Sequence, residues 1–328
     1  MTDAVPARGS LRSRGAALVS ALTLRQISAV LPPEQAWGLW LSRQIIAGIM
    51  TSFGPSLTGT HVEPVDVVQP DGRRVVGEWV RGSDQPGCGG AIYYIHGSGY
   101  ALCSPRTHRR LTGWLSRLTG LPVFAVDYRL APRHRFPTAA DDVRAGWDWL
   151  TGQIAPENIV IAGDSAGGHL AVDLLLQRDV ATPNPAALVL FSPLIDLTFG
   201  LAAARETLRR DPAIRAADAV RLVSLYSNGI DPAHQRLTLG VASGPALPAT
   251  LIQTGGAEML VLDARHLAAD IRAAGGSCEL QVWPDQVHVF QALPKLSPEA
   301  AQAMAYAARF IETALQRSGF DAATGKAG

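Results

Sequence analysis

The sequence predicts an α/β protein with a mostly parallel central sheet, helices on both faces of that sheet, and an added helical cap. From residue 91 onward, short apolar runs typical of buried strands alternate with helical patterns. One helix-rich stretch precedes the first strand, and another interrupts the alternation after residue 197. The 328 residues, of which 47% are hydrophobic, are enough for one large domain with a subdomain.

Residues 1–55 are predicted to form an N-terminal helical cap segment. Helices are expected over 11–31 and 33–50, separated by Pro32-Pro33. The second helix, which includes Trp37, carries more apolar surface than one face of a free helix can leave exposed, so it must cover something. Plain core packing and a lid over a pocket both fit this pattern.

A hairpin is predicted next, because β-rich segments at 61–68 and 73–80 flank an Asp71-Gly72 turn. The hairpin implies an antiparallel edge on the sheet. The later elements are strands at 91–95, 121–127, 159–162, 187–191, 249–254 and 277–283, and helices at 107–118, 138–150, 166–178, 262–274 and 300–315. In domain terms, the core covers 56–197 and 228–316, with a helical cap insertion at 198–227 and a mobile tail at 317–328.

Charge, hydropathy and cysteine content exclude several classes of protein. The 29 basic residues nearly balance 28 acidic ones without forming a basic stripe, so no nucleic-acid partner is expected. No apolar run approaches the roughly 18–20 residues of a membrane span. Cys88, Cys103 and Cys278 lack metal-ligand or redox spacing, which favours a reducing compartment, the cytoplasm. No metal or organic cofactor is expected.

The stretch from Arg12 to Leu24 also resembles a signal peptide, because arginines precede a short apolar run. Arg25 and Gln26 end the run where a cleavage site belongs. We therefore interpret the stretch as an amphipathic helix.

The most informative stretch is Gly163-Asp164-Ser165-Ala166-Gly167, a G-x-S-x-G between a predicted strand and a predicted helix. The two outer glycines allow the backbones to pass closely, and the sharp turn between them exposes the central side chain. Ser165 would lie at a helix N-terminus, which favours developing negative charge. The alternative is a glycine-rich turn with an incidental serine.

Two loops that follow other strands supply further candidates. His96-Gly97-Ser98-Gly99 follows strand 91–95, and its backbone N–H groups could converge on an oxyanion. His288 lies in a loop near the end of the chain, whereas His266 falls within a predicted helix. A serine nucleophile needs a histidine base oriented by a third group, and His288 stands where the chain order Ser, acid, His places that base.

These motifs, together with Asp127-Tyr-Arg-Leu-Ala-Pro132, resemble those of the bacterial hormone-sensitive-lipase-like esterases and lipases over about residues 60–295. The resemblance implies an α/β-hydrolase fold with a helical cap and hydrolysis of small-molecule carboxylic esters with short to medium acyl chains. It implies roles for the matching residues: Ser165 as nucleophile, His288 as general base, Gly97, Ser98 and Ala166 as oxyanion-hole donors, and His96, Gly99, Gly163, Asp164 and Gly167 as supporting motif positions.

The sequence departs from the family pattern at two positions. The family loop is usually His-Gly-Gly-Gly, and Ser98 replaces its middle glycine. The added Cβ narrows the acyl site or demands a conformation that serine accepts less readily. Arg133 stands where the family usually has a glutamate after Ala-Pro.

Glu258 and Asp263 are the two candidates for the acid that orients His288. Family members mostly carry Asp in this region, but Glu258 follows Thr254 by four residues and so lies in the loop beyond the strand, whereas Asp263 falls in the next helix. Alignment of that helix with the usual family pattern also favours Glu258.

The same candidate residues are compatible with other functions. A lactonase or an amidase would use the same acyl-transfer chemistry, and a non-catalytic small-molecule binder is a third alternative. A homodimer is also an open alternative.

Overall fold

The structure, a computed structural model, describes residues 5–82, 89–178, 183–321 and 326–327. Cys103 and Cys278 are free thiols in it, and Cys88 lies outside the described residues. Eight strands of the described chain form one sheet: β1 His61–Val68, β2 Arg74–Arg81, β3 Ala91–Ile95, β4 Val123–Val126, β5 Ile159–Asp164, β6 Ala187–Phe191, β7 Thr250–Gly255 and β8 Cys278–Trp283.

The described helices surround this sheet. They are α1 Leu11–Leu22, α2 Leu24–Val30, α3 Ala36–Phe53, α4 Pro105–Thr119, α5 Thr138–Thr151, α6 Ala166–Leu176, α7 Gly200–Leu208, α8 Ala216–Ser227, α9 Val261–Ala273 and α10 Glu299–Arg317. Two short paired strands, β9 Phe320–Asp321 and β10 Lys326–Ala327, follow the last helix. The mobility expected of residues 317–328 stays a prediction. No described helix has the length and apolar character needed to cross a membrane.

The strand order places a topological switch in the middle of the sheet. The order is β1-β2-β4-β3-β5-β6-β7-β8, with β2 antiparallel to both neighbours and the remaining neighbours parallel. From β3 the chain moves to one side to form β4 and then returns to the other side to form β5. A crevice opens at such a switch point beyond the carboxyl ends of the two diverging strands, where ligands bind in sheets of this class.

The central strands are buried on both faces, as their apolar sequences predict. Every residue of β3 to β7 is buried. Because side chains alternate along a strand, Val160 packs in a cluster with Leu111 of α4 and Ile311 of α10, whereas Ile161 packs in another with α5, α6 and α9. The predicted three-layer α/β architecture is confirmed.

Two predicted helices are interrupted. The helix expected over 11–31 breaks at Thr23, whose hydroxyl donates to the carbonyl of Val19 at 2.7 Å and competes with the helical backbone bonds. The segment 198–227 contains α7 and α8 separated by residues 209–215. Pro212 lies in that gap and accounts for the break, because proline lacks a backbone N–H donor and disfavours the helical conformation of the residue before it.

Both predicted cap segments contact the loop after β3. Arg43 of α3 donates to the carbonyl of Ala101 from Nε at 3.0 Å and from Nη2 at 2.7 Å. On the other segment, Tyr226 of α8 stacks on Tyr100 with ring centroids 4.2 Å apart. A Cβ on Gly99 would approach Leu222 of α8 to 2.6 Å. Residues 97–103 therefore lie beneath two helices from distant parts of the chain.

The close approach of α6 to β3 generates a prediction about stability. A Cβ on Gly167 would overlap the carbonyl oxygen of Ile95 and lie 2.8 Å from that of His96. Gly167→Ala should therefore lower the free energy of unfolding by about 1–3 kcal/mol, because backbone atoms must move apart. Denaturant unfolding followed by circular dichroism measures the change.

Gly48→Ala in α3 is the matched control, since a Cβ at Gly48 meets nothing within 4 Å. That change should leave stability equal or raise it by up to ~1 kcal/mol through helix propensity. A Gly167→Ala protein as stable as the original chain would contradict the close approach.

Candidate active site

Ser165 lies in a strained turn between β5 and α6. Its φ of 52° and ψ of −123° lie in a region that non-glycine residues rarely adopt. Its N–H donates to the carbonyl of Phe191 at 3.0 Å, and its carbonyl accepts from Gly168 at 2.9 Å and Leu194 at 3.0 Å. These hydrogen bonds keep the backbone of Ser165 in its strained conformation and place its half-buried side chain at the N-terminus of α6.

The carboxylate of Asp164 connects the turns after β3 and β5. It is buried, and its Oδ1 accepts from the Tyr94 hydroxyl at 2.7 Å and from the N–H of Gly97 at 2.9 Å. The Nε2 of His108 lies 3.3 Å from its Oδ2. Burial raises the pKa of Asp164, but His108 and the hydrogen bonds outweigh burial and hold this pKa below its ordinary value of 3.8. Asp164 is therefore a buried anion.

This carboxylate corrects the expected role of Gly97. Because the N–H of Gly97 already donates to Asp164, it is not free to bind an oxyanion. A Cβ at Gly97 would also overlap the carboxylate, so the glycine is needed for the close approach. Gly97 thus joins the two turns, and the motif match alone could not reveal this competing acceptor.

Other N–H groups in the turns after β3 and β5 have no acceptor among the described residues. They include those of Ser98, Gly99 and Ala166. Ser98 and Gly99 follow β3, Ala166 begins α6, and β3 and β5 are adjacent parallel strands that end at the same edge of the sheet. This edge therefore offers unused donors on both sides of the switch point.

The hydroxyl of Ser98 is fully used inside the protein. Its Oγ lies 2.6 Å from the Tyr128 hydroxyl, which donates to the carbonyl of His96 at 2.6 Å and so accepts from Ser98. Ser98 Oγ also accepts from the N–H of Tyr100 at 2.8 Å. Since φ of Ser98 is not positive, its Cβ causes no backbone strain. The side chain that replaces the usual glycine therefore directs its hydroxyl to Tyr128 and Tyr100 inside the protein.

His96 is packed in the interior of the protein. Its ring is fully buried and stacks on Tyr128 with centroids 4.2 Å apart. Burial, with a smaller contribution from His108, lowers the pKa of His96 to about 3, so its ring is neutral. Arg133, the other departure from the family pattern, is exposed.

Glu258 and His288 form a hydrogen-bonded pair. The Nδ1 of His288 lies 2.7 Å from Oε2 of Glu258, which is fully buried. The other carboxylate oxygen accepts from the N–H of Gly255 at 2.9 Å and from the Thr254 hydroxyl. An ionised carboxylate can only accept, so Nδ1 carries a proton and Nε2 is the free acceptor of the neutral ring.

Carboxylates raise the basicity of His288. Burial lowers its pKa, but the hydrogen bond and charge of Glu258 outweigh burial, with smaller contributions from Asp211 and Asp164. The pKa of His288 therefore lies above its ordinary value of 6.5. The ring is poised to accept a proton.

Asp263 serves a different part of the structure. Its side chain is fully buried, and Oδ1 accepts from the N–H groups of Ile195 at 3.0 Å and Asp196 at 2.9 Å. Burial raises the pKa of Asp263 to about 7. It therefore supports the loop after β6, while Glu258 meets His288.

Further hydrogen bonds hold the loop that carries His288. The N–H of Val289 donates to Ser192 Oγ at 3.0 Å, and the N–H of Ala257 donates to the carbonyl of Gln286 at 3.0 Å. The loops after β6, β7 and β8 are thereby connected. Nothing in the local sequence singled out Ser192, because its partner is distant in the chain.

Asp211 is a second buried carboxylate near the pair. It comes from the gap between α7 and α8, and its Oδ2 accepts from the N–H of Met259 at 2.7 Å. Its Oδ1 accepts from Ala213 at 2.6 Å and Ile214 at 2.9 Å. The segment between α7 and α8 thus holds Met259, the residue directly after Glu258. An Asp-Pro pair inside a helical pattern was the one available signal for this contact.

An α/β-hydrolase fold model matches residues 92–292. Esterase LipU of Mycobacterium tuberculosis is 38% identical over 231 residues, covering 68% of this chain and 78% of its own length. Carboxylesterase/phospholipase LipF of the same organism is 33% identical over 317 residues, covering 93% and 82%. An acetyl-hydrolase of Streptomyces hygroscopicus is 37% identical over 255 residues, covering 77% and 84%.

A solved structure agrees with these matches. The crystal structure of an esterase from the bacterial hormone-sensitive lipase family superposes with a TM-score of 0.81 at 30% identity, covering 93% of this chain and 99% of that one. The LipF and crystal-structure matches, which each cover 93% of this chain, extend beyond residues 92–292. The chain therefore belongs to the bacterial hormone-sensitive-lipase-like branch of the α/β-hydrolase family and is a carboxylesterase-type hydrolase.

Proposed function

We propose that this hydrolase cleaves its ester through a covalent acyl-enzyme on Ser165, with His288 as general base and Glu258 as the acid that orients the base. The observation that carries the proposal is the 2.7 Å hydrogen bond between His288 Nδ1 and the buried Glu258. This bond leaves Nε2 to take a proton, and the strained turn presents Ser165 at the carboxyl edge of the same sheet.

The proposed reaction has two halves. Ser165 Oγ attacks the ester carbonyl carbon while Nε2 of His288 takes its proton, and the tetrahedral intermediate collapses as the imidazolium protonates the departing alkoxide. Water then attacks the acyl-enzyme, with His288 again accepting the proton and returning it to Ser165. Glu258 stabilises the imidazolium throughout.

The oxyanion hole is proposed to consist of the N–H groups of Ser98, Gly99 and Ala166. Each lacks a protein acceptor within the described residues, whereas Gly97 is occupied by Asp164. The N-terminus of α6 adds a favourable dipole. Donors fixed by the fold need no reorganisation when charge develops, which is why such groups lower the barrier.

We propose short- to medium-chain acyl esters as the substrate class. Residues 1–55 and 198–227 would form the cap over the acyl site, since Arg43, Leu222 and Tyr226 all contact the loop that contains Ser98 and Gly99. The names of the relatives support small acyl groups in one case, an acetyl-hydrolase, and phospholipids in another. Lactones and amides are the alternative substrates, because attack of Ser165 on their carbonyl groups would form an acyl-enzyme in the same way.

An activity-based fluorophosphonate should label Ser165, because the probe reacts with serines activated by a histidine base. Aryl esters of graded acyl length, assayed beside matching lactones and amides, should be turned over fastest as short to medium esters. Ser165→Ala should lose both labelling and turnover, by about 10³-fold or more in kcat. Persistent labelling of folded Ser165→Ala would refute the assignment.

Glu258→Gln and Asp263→Asn separate the two acid candidates. Glu258→Gln removes the carboxylate that orients His288 and should lower kcat by about 10³–10⁴-fold. Asp263→Asn keeps an oxygen for Ile195 and Asp196 and should cost far less. Steady-state kinetics of both variants decide the matter, and the reverse ranking in folded proteins would exclude Glu258.

Asp211→Asn should move the acid limb of kcat/KM to lower pH. The active form carries neutral His288, so activity falls as pH drops through the pKa of that ring, which lies above 6.5. Removing the negative charge of Asp211 lowers this pKa, because that charge is one of the contributions that raise it. A pH–rate profile measures the shift.

Asp231→Asn is the control, since Asp231 accepts the N–H of Ala233 in an exposed turn. Its pH profile should match that of the original chain. An unchanged acid limb in folded Asp211→Asn would show that Asp211 does not act on His288.

A further inference from the structure

Helix α1 presents its apolar side outward. Its two buried residues are serines, Ser13 and Ser20, which are 3% and 9% exposed. The apolar side chains that are most exposed on this helix are Leu11 at 81%, Leu18 at 63%, Val19 at 60% and Leu22 at 69%. A surface helix normally has the opposite arrangement, with its apolar stripe turned to the core.

The exposed residues form one stripe. At 100° per residue, Leu11, Leu18, Val19 and Leu22 fall within an arc of roughly 100°. By the same geometry Arg12 and Arg14 fall on either border of the arc. The outer face of α1 is therefore an apolar stripe with a guanidinium on each side.

The inner face is fixed by hydrogen bonds to α10. Glu299 accepts from the hydroxyl of Ser13 at 2.5 Å and from the N–H and hydroxyl of Ser10. Rotating α1 to bury its leucines would leave this carboxylate without those donors. The stripe is therefore held toward the outside.

The segment around the stripe is cationic. Residues 4–33 contain four arginines and no aspartate or glutamate. Arg25 already forms an ion pair with Glu206 at 2.9 Å. Arg8, Arg12 and Arg14 have no ion-pair partner in the described part of the chain. An anionic surface would complement both the charge and the apolar stripe.

We propose that α1 docks the protein on an anionic lipid surface. The helix would lie in the headgroup plane with its leucines inserted and its arginines extended to the phosphates. Its 12 residues are too few to span the bilayer. Val30 of α2 and Trp37 and Trp40 of α3 are also exposed, and side chains of these types suit a membrane interface.

A second copy of the chain fits this face less well. The four aliphatic side chains expose on the order of 400–500 Å², about half of what each partner contributes to a standard interface. Two such stripes would also bring arginine-rich segments together without an acidic residue to pair them.

Sedimentation with vesicles tests the proposal. The protein should bind vesicles of phosphatidylglycerol and phosphatidylcholine, bind pure phosphatidylcholine weakly, and dissociate as salt is added. Leu18→Glu with Leu22→Glu should weaken vesicle binding by about tenfold or more while the circular-dichroism spectrum shows that the variant is still folded. Arg12→Ala with Arg14→Ala should weaken binding to the anionic vesicles selectively.

Val68→Glu is the matched control, because Val68 at the end of β1 is 70% exposed, and it should bind as the original chain does. Ser165→Ala should also bind normally, so failure of the proposed chemistry and failure of docking are distinguishable. No binding to anionic vesicles, or equal binding by the folded double glutamate variant, would overturn the proposal. So would light scattering that shows a dimer which the double glutamate variant dissociates.

Discussion

The buried carboxylate of Asp164 is the interaction on which the arrangement of the active edge depends. Asp164 is the last residue of β5, and it accepts hydrogen bonds from Tyr94 in β3 and from Gly97 in the loop after β3, so it joins the two sides of the topological switch. An anion without these donors would be costly at 2% exposure. This side chain, together with the pairing of β3 with β5, therefore helps to fix the position of the Ser165 turn relative to the unused N–H groups of Ser98 and Gly99.

The architecture could be predicted from the sequence because apolar runs and turn motifs are local signals. The apolar runs at β3 and β6 predicted both strands to the residue, and the G-x-S-x-G motif predicted the strand–turn–helix around Ser165. The break at Thr23 was missed because it depends on a side-chain bond to the backbone, which periodicity does not encode. Pro212 indicates the break between α7 and α8, but it lies within an otherwise helical pattern.

The site was predictable by residue type and less so by contact. Glu258 was favoured over Asp263 by its place in a loop, and the structure brings it to His288. The direction of the Gly97 N–H could not be predicted, since a motif identifies a residue and not its acceptor. The contacts of Ser192 with Val289 and of Asp211 with Met259 could not be predicted, because the two residues of each pair lie far apart in the chain. The catalytic roles themselves stay predictions.

Arg25 of α2 connects the N-terminal helices to the segment that contains α7 and α8. Arg25 donates to the carbonyls of Asp211 at 2.7 Å and Ile214 at 2.9 Å, and it pairs with Glu206. Asp211 in turn holds Met259 beside Glu258. A chimera that exchanged the insertion without the N-terminal helices would separate an arginine from its carbonyls and disturb the acid loop. The two segments proposed as the cap are therefore expected to be exchangeable between relatives only as a matched pair.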